Sequence, residues 1–358
     1  MTRAWTVRPA LPADEERQAF LFNTCFAKHK DARTFRWKYR DNPDGPAIGR
    51  VACAADGTVV GGYSYVPRRF RRDGRPLLLM QASDAMTLPE WQGQGIFTGL
   101  DDVVCAEAGR QGVSWAFAYS GRLSLKGFLR NGWRLIGHAQ EWRLAFRGRP
   151  LATRAGRLAP AVRALAPALD VWLGWRARRA LGGAGSSAQV ERLERFDASA
   201  DELNLAAAPA QGLYGERGSA WLNWRYVDTP SRRQEAFALR ADGRLRGWLV
   251  AEFCAGHAFL VDHLVRDEHA RATLLAAFAA AARERGAEEA SALLCAQHPA
   301  VPALEALGFR ARRSRPREFR DMFPFIVRPC RPDSPPEDLT LARWHLADGD
   351  RDAEHLSA

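Results

Sequence analysis

The sequence predicts an α/β (α+β) chain built from two tandem copies of one domain, each a mixed, mostly antiparallel sheet flanked by helices. Three observations lead there. Apolar runs separated by Asp-Gly turns mark hairpins, a helix-period run follows a glycine-rich turn, and short signatures recur in the same order later in the chain.

In chain order, "WTVRPA" reads as a strand, and "ADEERQAFLFNTCF" as a helix whose early acidic residues suit the positive end of its dipole. After the aromatic and basic segment "FRWKYRDNPDG" come "GRVACAA", a DG turn, "TVVGGYSYV", the turn Asp73-Gly74 and "PLLLMQASDAMTL". Asp-Gly between apolar runs predicts hairpins, so three antiparallel strands precede the glycine turn "PEWQGQGIFTGL". Beyond it, Ile96, Leu100, Val103 and Val104 fall on one face of a helix; the strand "VSWAFAYS" and a short helix in "LSLKGFLRNGW", ending at Gly132, follow.

The repeat is read from spacing. Phe35-Arg36-Trp37-Lys38-Tyr39 with Pro43 is echoed by Leu222-Asn223-Trp224-Arg225-Tyr226 with Pro230, offset by 187 residues; Ala55 and Gly61 recur at Ala241 and Gly247, offset by 186; Gly132 recurs at Gly308, offset by 176. Four ordered coincidences predict a first domain over 1–147, an Arg/Ala-rich helical linker over 148–188, a second domain over 189–330 and a loosely held polar tail over 331–358. In the linker, Pro160 and Pro167 interrupt the helical pattern, and "GGAGSS" reads as a flexible joint. Its arginines with Trp172 and Trp175 could lie on an anionic membrane surface. The preferred reading is an interdomain helix packed on the domains, its tryptophans inward.

At 358 residues, 47% hydrophobic and 10% aromatic, the chain has the composition of a folded protein of about two domains. A net charge of +11 favours anionic partners without choosing among them. Cys25, Cys53, Cys105, Cys254, Cys295 and Cys330 are scattered, with no metal-type spacing, and are expected to be reduced core residues of a cytoplasmic protein; no metal site is expected. Trp37 and Trp224 could form a stacking platform, but core packing is preferred because both copies have one.

A glycine turn opening a helix presents unpaired backbone N–H groups at the positive end of the helix dipole, and the missing Cβ atoms let a pyrophosphate approach. The dinucleotide fingerprint G-x-G-x-x-G does not fit: after Gly93 and Gly95 the third glycine, Gly99, comes one position late, and hairpins precede the turn.

Gln92-Gly93-Gln94-Gly95-Ile96-Phe97, the strand before it, "VSWAFAYS" and the closing "GFLRNGW" together resemble the GNAT (GCN5-related) acyltransferases, well over residues 4–145 and in outline over 190–325. Gln92 and Gly95 match the family's Gln/Arg-x-x-Gly-x-Gly/Ala motif, and Phe97 replaces its last small residue. The resemblance implies two tandem GNAT-like domains and direct attack of an amine on acetyl-CoA, with a small-molecule amine or amino sugar as acceptor. Amides of Gln92, Gly93, Gln94, Gly95, Ile96 and Phe97 would hold the pyrophosphate, and backbone groups around Met86 and Leu88 the pantetheine, between strands splayed near Leu88 and Tyr119. Asp84 or Glu90 would serve as base, with Asp84 preferred. Where the family places a tyrosine acid this sequence has Phe128, lining the cofactor site; Tyr119, backed by Ser120 and Ser124, is the substitute. Aligning Asp262 with Asp84 puts Ala270, Arg271, Ala272 and Thr273 over the cradle positions, so the second copy would hold no cofactor and would shape the acceptor site or the interdomain cleft. A non-catalytic CoA-binding module and nucleic-acid-linked acyl transfer are the alternatives, the latter set aside because the arginines are dispersed.

Overall fold

Asp73-Gly74 and Asp242-Gly243 each place both residues at positive φ, between 51° and 76°. Two consecutive left-handed residues make the turn whose twist matches a two-residue hairpin, which is why Asp-Gly stands at each of these turns, one between the strands Val59–Arg72 and Arg75–Thr87, the other between Gln234–Ala241 and Arg244–Cys254. The computed structural model describes residues 4–182, 190–230, 234–311 and 322–352.

The first half runs β1 (Trp5–Pro9), α1 (Glu15–Phe26), α2 (Ala32–Tyr39), β2 (Ile48–Ala54), β3 (Val59–Arg72), β4 (Arg75–Thr87), α3 (Ile96–Arg110), β5 (Trp115–Tyr119), α4 (Arg122–Arg130) and β6 (Arg134–Ala145). Asp31 caps α2, its carboxylate accepting from the Thr34 amide at 2.9 Å. The linker holds α5 (Arg149–Arg154), α6 (Ala159–Ala164) and α7 (Ala166–Gly182), with Pro160 and Pro167 near the starts of the last two, where a missing N–H is harmless.

The second half runs β7 (Val190–Leu193), α8 (Ala198–Ala207), β8 (Leu213–Gly215), α9 (Ser219–Leu222), β9 (Gln234–Ala241), β10 (Arg244–Cys254), β11 (His257–Val265), α10 (Glu268–Glu284), β12 (Glu289–Cys295), α11 (Val301–Leu307), β13 (Arg310–Ala311), β14 (Met322–Pro329) and β15 (Trp344–His345). The order of elements repeats that of the first half.

The two halves share one continuous sheet, ordered β1-β2-β3-β4-β5-β14-β6-β12-β11-β10-β9-β7. The order contains an exchange. β14, from the end of the second half, lies between β5 and β6 of the first, pairing Phe325 with Tyr119 on one side and with Gly137 on the other. In return β6 pairs with β12, Trp142 opposite Ala292 and Leu144 opposite Ala290. Each half therefore completes its sheet with a strand of the other, and the expected boundary at 147 separates segments of chain, not independent sheets.

The hydrophobic core follows this topology. One cluster under β1–β4 and α3 lies mainly in the first half and takes in Ile326 of β14, and two others, around α10 and the face of β9–β11, take in Trp142 and Leu144 of β6 and Trp37 of α2. A fourth mixes the halves: Phe70, Trp115 and Phe117 pack with Leu213, Phe325, Trp344 and Leu346. Trp344 and Leu346 are buried, so the segment from 331 to 352 is not the loosely held tail its Pro-rich polar composition suggested. Sparse apolar residues anchor it, and residues 353–358 lie outside the described residues. Gly183 to Ser187 of the expected joint lie outside them too.

Trp37 and Trp224 stack on each other, ring centroids 4.7 Å apart and planes 20° from parallel, each donating its indole N–H to the other's backbone carbonyl at 2.9 and 3.0 Å. This reciprocal pair sits where the repeats face each other and is core, as preferred over a ligand platform. Trp37→Ala is expected to destabilise the chain by about 3–5 kcal/mol through the cavity it leaves. Equilibrium denaturation checks this; a loss below about 1 kcal/mol would place the pair outside the cooperative core. The linker differs from expectation. Trp172 and Trp175 are half exposed, and Leu158, Leu165 and Val171 more so, because α7 seats mainly Leu173 and its Pro-broken pieces are too short to bury a continuous face.

Candidate functional site

Strand β4 changes course at Asp84. Its register against β3 shifts between Gly62, opposite Met86, and Ser64, opposite Ser83, so Asp84 and Ala85 together face Tyr63, and Asp84 takes φ 48°. A left-handed non-glycine residue in a bulge is strained backbone, retained where its side chain must be aimed. On its other edge β4 pairs with β5 only at Met80–Ala116 and Gln81–Phe117. Beyond those pairs the strands part, as the family resemblance implied for the ends near Leu88 and Tyr119.

The glycine turn lies at the end of β4. Gly93 and Gly95 have φ 78° and 76°, and a Cβ added to either would meet nothing within 4 Å. The cradle is open, and α3 begins directly behind it at Ile96. Trp5 secures it, donating its indole N–H to the Gln94 carbonyl at 3.1 Å. Gly99 serves packing instead. A Cβ there would stand 2.6 Å from Trp5 Cη2, so this glycine admits the indole. Gly99→Ala is expected to cost about 1–3 kcal/mol by overpacking, read as a lower thermal midpoint. An unchanged midpoint would mean that Trp5 moves aside freely.

Between the parted strands lies a cavity of about 450 Å³. Its walls bring together Asp84, Tyr119, Ser120, Ser124 and Phe128, all singled out in the sequence. Asp84 accepts from Lys38 Nζ at 2.9 Å and from the Tyr39 hydroxyl at 2.6 Å, both on Oδ2. Lys38 also bridges to Asp352 at 2.5 Å, so two carboxylates share one buried ammonium. Ser120 donates to the Gly121 carbonyl at 3.0 Å and lies 3.1 Å from Ser124 Oγ. Burial pushes the Tyr119 phenol well above its usual range. Phe128 is buried against Phe97 and Trp133, with centroids 5.0 Å from each, and Phe97 in turn packs on Tyr63.

Other expected residues stand elsewhere. Glu90 is exposed on the turn before the cradle and does not line the cavity, since the short 3-10 turn Pro89–Trp91 faces it outward. Met86 and Leu88 have buried side chains, and both backbone groups of Leu88 are already bonded, its N–H to Val60 O and its carbonyl to Trp91 N. The Gln92 amide donates to Pro89 O at 3.3 Å, so the free amides of the cradle begin at Gly93. The sequence reading missed Lys38 and Tyr39, which stood inside the repeated "RWKY" signature, and it missed Phe323, Arg351 and Asp352, which reach the cavity from the exchanged strand and the tail.

The second copy keeps part of this arrangement. Tyr226 donates to Asp262 at 2.9 Å as Tyr39 does to Asp84. It has no cradle: Asp267 caps α10 by accepting from Ala270 N at 2.9 Å, and Arg271 and Thr273 stand where the first copy has glycines.

No helix among the described residues is long and apolar enough to cross a membrane, and no group of three or more His, Cys, Asp or Glu among them is arranged to hold a metal ion. Residues 6–136 match the family model of the acetyltransferase (GNAT) domain. No curated protein matches the sequence. Among solved structures, the chain is similar to a GCN5-related N-acetyltransferase from Anabaena variabilis, with 14% identity, a TM-score of 0.63, and coverage of 91% of this chain and 73% of that one. It is similar to a probable N-acyltransferase of unknown function from Enterococcus faecalis, with 10% identity, TM-score 0.64 and the same coverage. A GCN5-related N-acetyltransferase from Kribbella flavida has 14% identity and TM-score 0.61, with 90% and 70% covered. The glycine cradle on α3 and the parted strands both fall within the family-model match, which marks residues 6–136 as a GNAT acetyltransferase domain.

Proposed function

We propose that the protein transfers an acetyl group from acetyl-CoA to the amine of a small molecule or amino sugar through its first domain. The observation that carries this is the open cradle at Gly93 and Gly95, placed just past the end of β4, the strand whose Asp84 lines the cavity. The residues fit the cofactor. Amides from Gly93 to Phe97, at the positive end of α3, would receive the pyrophosphate, and the edge of β4 left unpaired after Gln81 would receive the pantetheine amides. The thioester supplies the activated acetyl group.

Asp84 and Asp352 place two carboxylates in a cavity wall that also carries Lys28 and Arg351, and an ammonium acceptor would be received by the carboxylates. Because Oδ2 of Asp84 is held by Lys38 and Tyr39, Oδ1 is the oxygen that takes the amine's proton, directly or through water. The raised phenol of Tyr119 stays protonated across the working pH range, so it donates a hydrogen bond to the developing thiolate without surrendering its proton. Phe128 is apolar and cannot replace it.

A panel of amine acceptors with acetyl-CoA, followed by thiol release, tests the reading. Turnover with any of them supports it. Acetyl-CoA binding without turnover favours a cofactor-sensing module instead, a reading that Phe128 in the place of the family's tyrosine supports.

A further inference from the structure

In the linker, Leu158, Ala161, Leu165, Ala168, Trp172 and Trp175 follow one another at alternating spacings of three and four residues, which on a helix puts them on one face. The helix continues from α6 into α7: the Leu165 amide donates to the Ala161 carbonyl at 3.1 Å, and the Leu169 amide to the Leu165 carbonyl at 3.0 Å. All six residues are exposed, the two leucines and two tryptophans by 50% to 68%. α7 lies against α10 and α11 with Leu173 buried, and its Leu169 stands beside Gly148 at the start of α5. Eleven large apolar side chains are exposed among the described residues, and five of them, Val171 with the four above, crowd this one segment. That makes a continuous apolar stripe roughly 25 Å long, at 1.5 Å per residue, and not the scatter normal for a surface.

The same segment is basic. From Gly148 to Gly182 the sequence has seven arginines and one acidic residue, Asp170, a net +6 of the chain's +11. Asp170 is engaged within the linker, accepting from the Gly148 amide at 2.5 Å and facing Arg147 at 3.6 Å. Arg157 and Arg163 are exposed beside the stripe.

Apolar face and charge together select the partner. A repeat of three and four is also the seam of a coiled coil, but a second copy would set seven more arginines against these with one acid on each side. Single-stranded nucleic acid would answer the arginines and stack on the indoles, yet it offers no apolar medium to Leu158, Leu165 and Val171. An anionic bilayer meets both demands, with charged headgroups for the guanidinium groups, the acyl boundary for the leucines, and between them the interface that suits an indole's apolar body and polar N–H.

We propose that the outward face of α6 and α7 is a peripheral docking surface for an anionic phospholipid bilayer, with the stripe from Leu158 to Trp175 lying parallel to the membrane plane. The segment rests on the bilayer without crossing it, since no helix among the described residues is long and apolar enough to span one.

Sedimentation of the full chain with vesicles tests this. Binding to an equal mixture of phosphatidylcholine and phosphatidylglycerol is expected to be at least ten-fold tighter than to phosphatidylcholine alone, and to weaken as potassium chloride is added. Trp172→Glu/Trp175→Glu is expected to weaken binding to the mixed vesicles at least ten-fold and to leave the thermal midpoint unchanged, because both positions are exposed. No association with the mixed vesicles, equal association with neutral ones, or undiminished association in the double variant would overturn the proposal. So would a dimer that the double variant dissolves, which would give the face to a second copy, or single-stranded RNA held more tightly than the mixed vesicles.

Discussion

Gly95→Trp is expected to lose acetyl-CoA binding by at least 100-fold in a calorimetric titration in which the wild type is expected to bind one molecule per chain. The argument is steric and local. At Gly95 the first atom of any side chain points into open space at the mouth of α3, so a small substituent meets no protein atom and an indole fills the volume that a pyrophosphate needs. The φ of 76° adds a strain of about 1–2 kcal/mol for any L side chain, and Gly95→Ala carries that strain with almost no added bulk. Gly95→Ala is therefore expected to lower stability modestly and keep binding within about ten-fold, a difference of roughly 1.4 kcal/mol. Arg271→Gly/Thr273→Gly, in the second copy, should leave cofactor binding unchanged. Equal loss in Gly95→Ala and Gly95→Trp would trace the effect to the backbone, and unimpaired binding in Gly95→Trp would remove the cradle from the mechanism.

Asp84→Asn is expected to lower kcat by roughly 100- to 1,000-fold, the usual contribution of a positioned general base. The substitution keeps the size of the side chain and its bond from Tyr39, and Lys38 keeps Asp352 as a partner, so no uncompensated buried charge remains. KM for acetyl-CoA should barely move, because in the proposed reaction Asp84 serves the acceptor amine and not the cofactor. Glu90→Gln, on the exposed turn, should keep kcat within about two-fold, as expected of surface changes away from the chemistry. A normal kcat in Asp84→Asn would move the proton transfer elsewhere, and a destabilised protein would show that the Lys38 pair is structural.

Much of this was legible because the signals were local. The Asp-Gly hairpins needed only two residues each, the cradle only a glycine pair before a helix, and the Trp37–Trp224 pair only an offset kept through the repeat. Asp84, Tyr119, Ser120 and Phe128 do meet around one cavity. What could not be read was set by pairing across the chain. "MFPFIVRP" is a plausible strand by composition, but nothing in it specifies Tyr119 and Gly137 as neighbours. The contributions of Phe323, Arg351 and Asp352 follow from that pairing and were missed with it. The tail misled for a related reason. Trp344 and Leu346 are two apolar residues in a polar stretch, and their burial depends on a hollow formed by Phe70, Phe117 and Phe325 from distant strands.

The exchange of β14 and β6 also sets a timetable for synthesis. β5 must wait for its neighbour until residue 329 has been made, some 180 residues after β6 ends at 145. At about 5–20 residues per second the nascent first half spends roughly ten to forty seconds with a hydrogen-bonding edge bare beside a half-built cavity. During that interval the edge of β5 is open to the wrong neighbour, and the cavity is completed only when the last strand slots home.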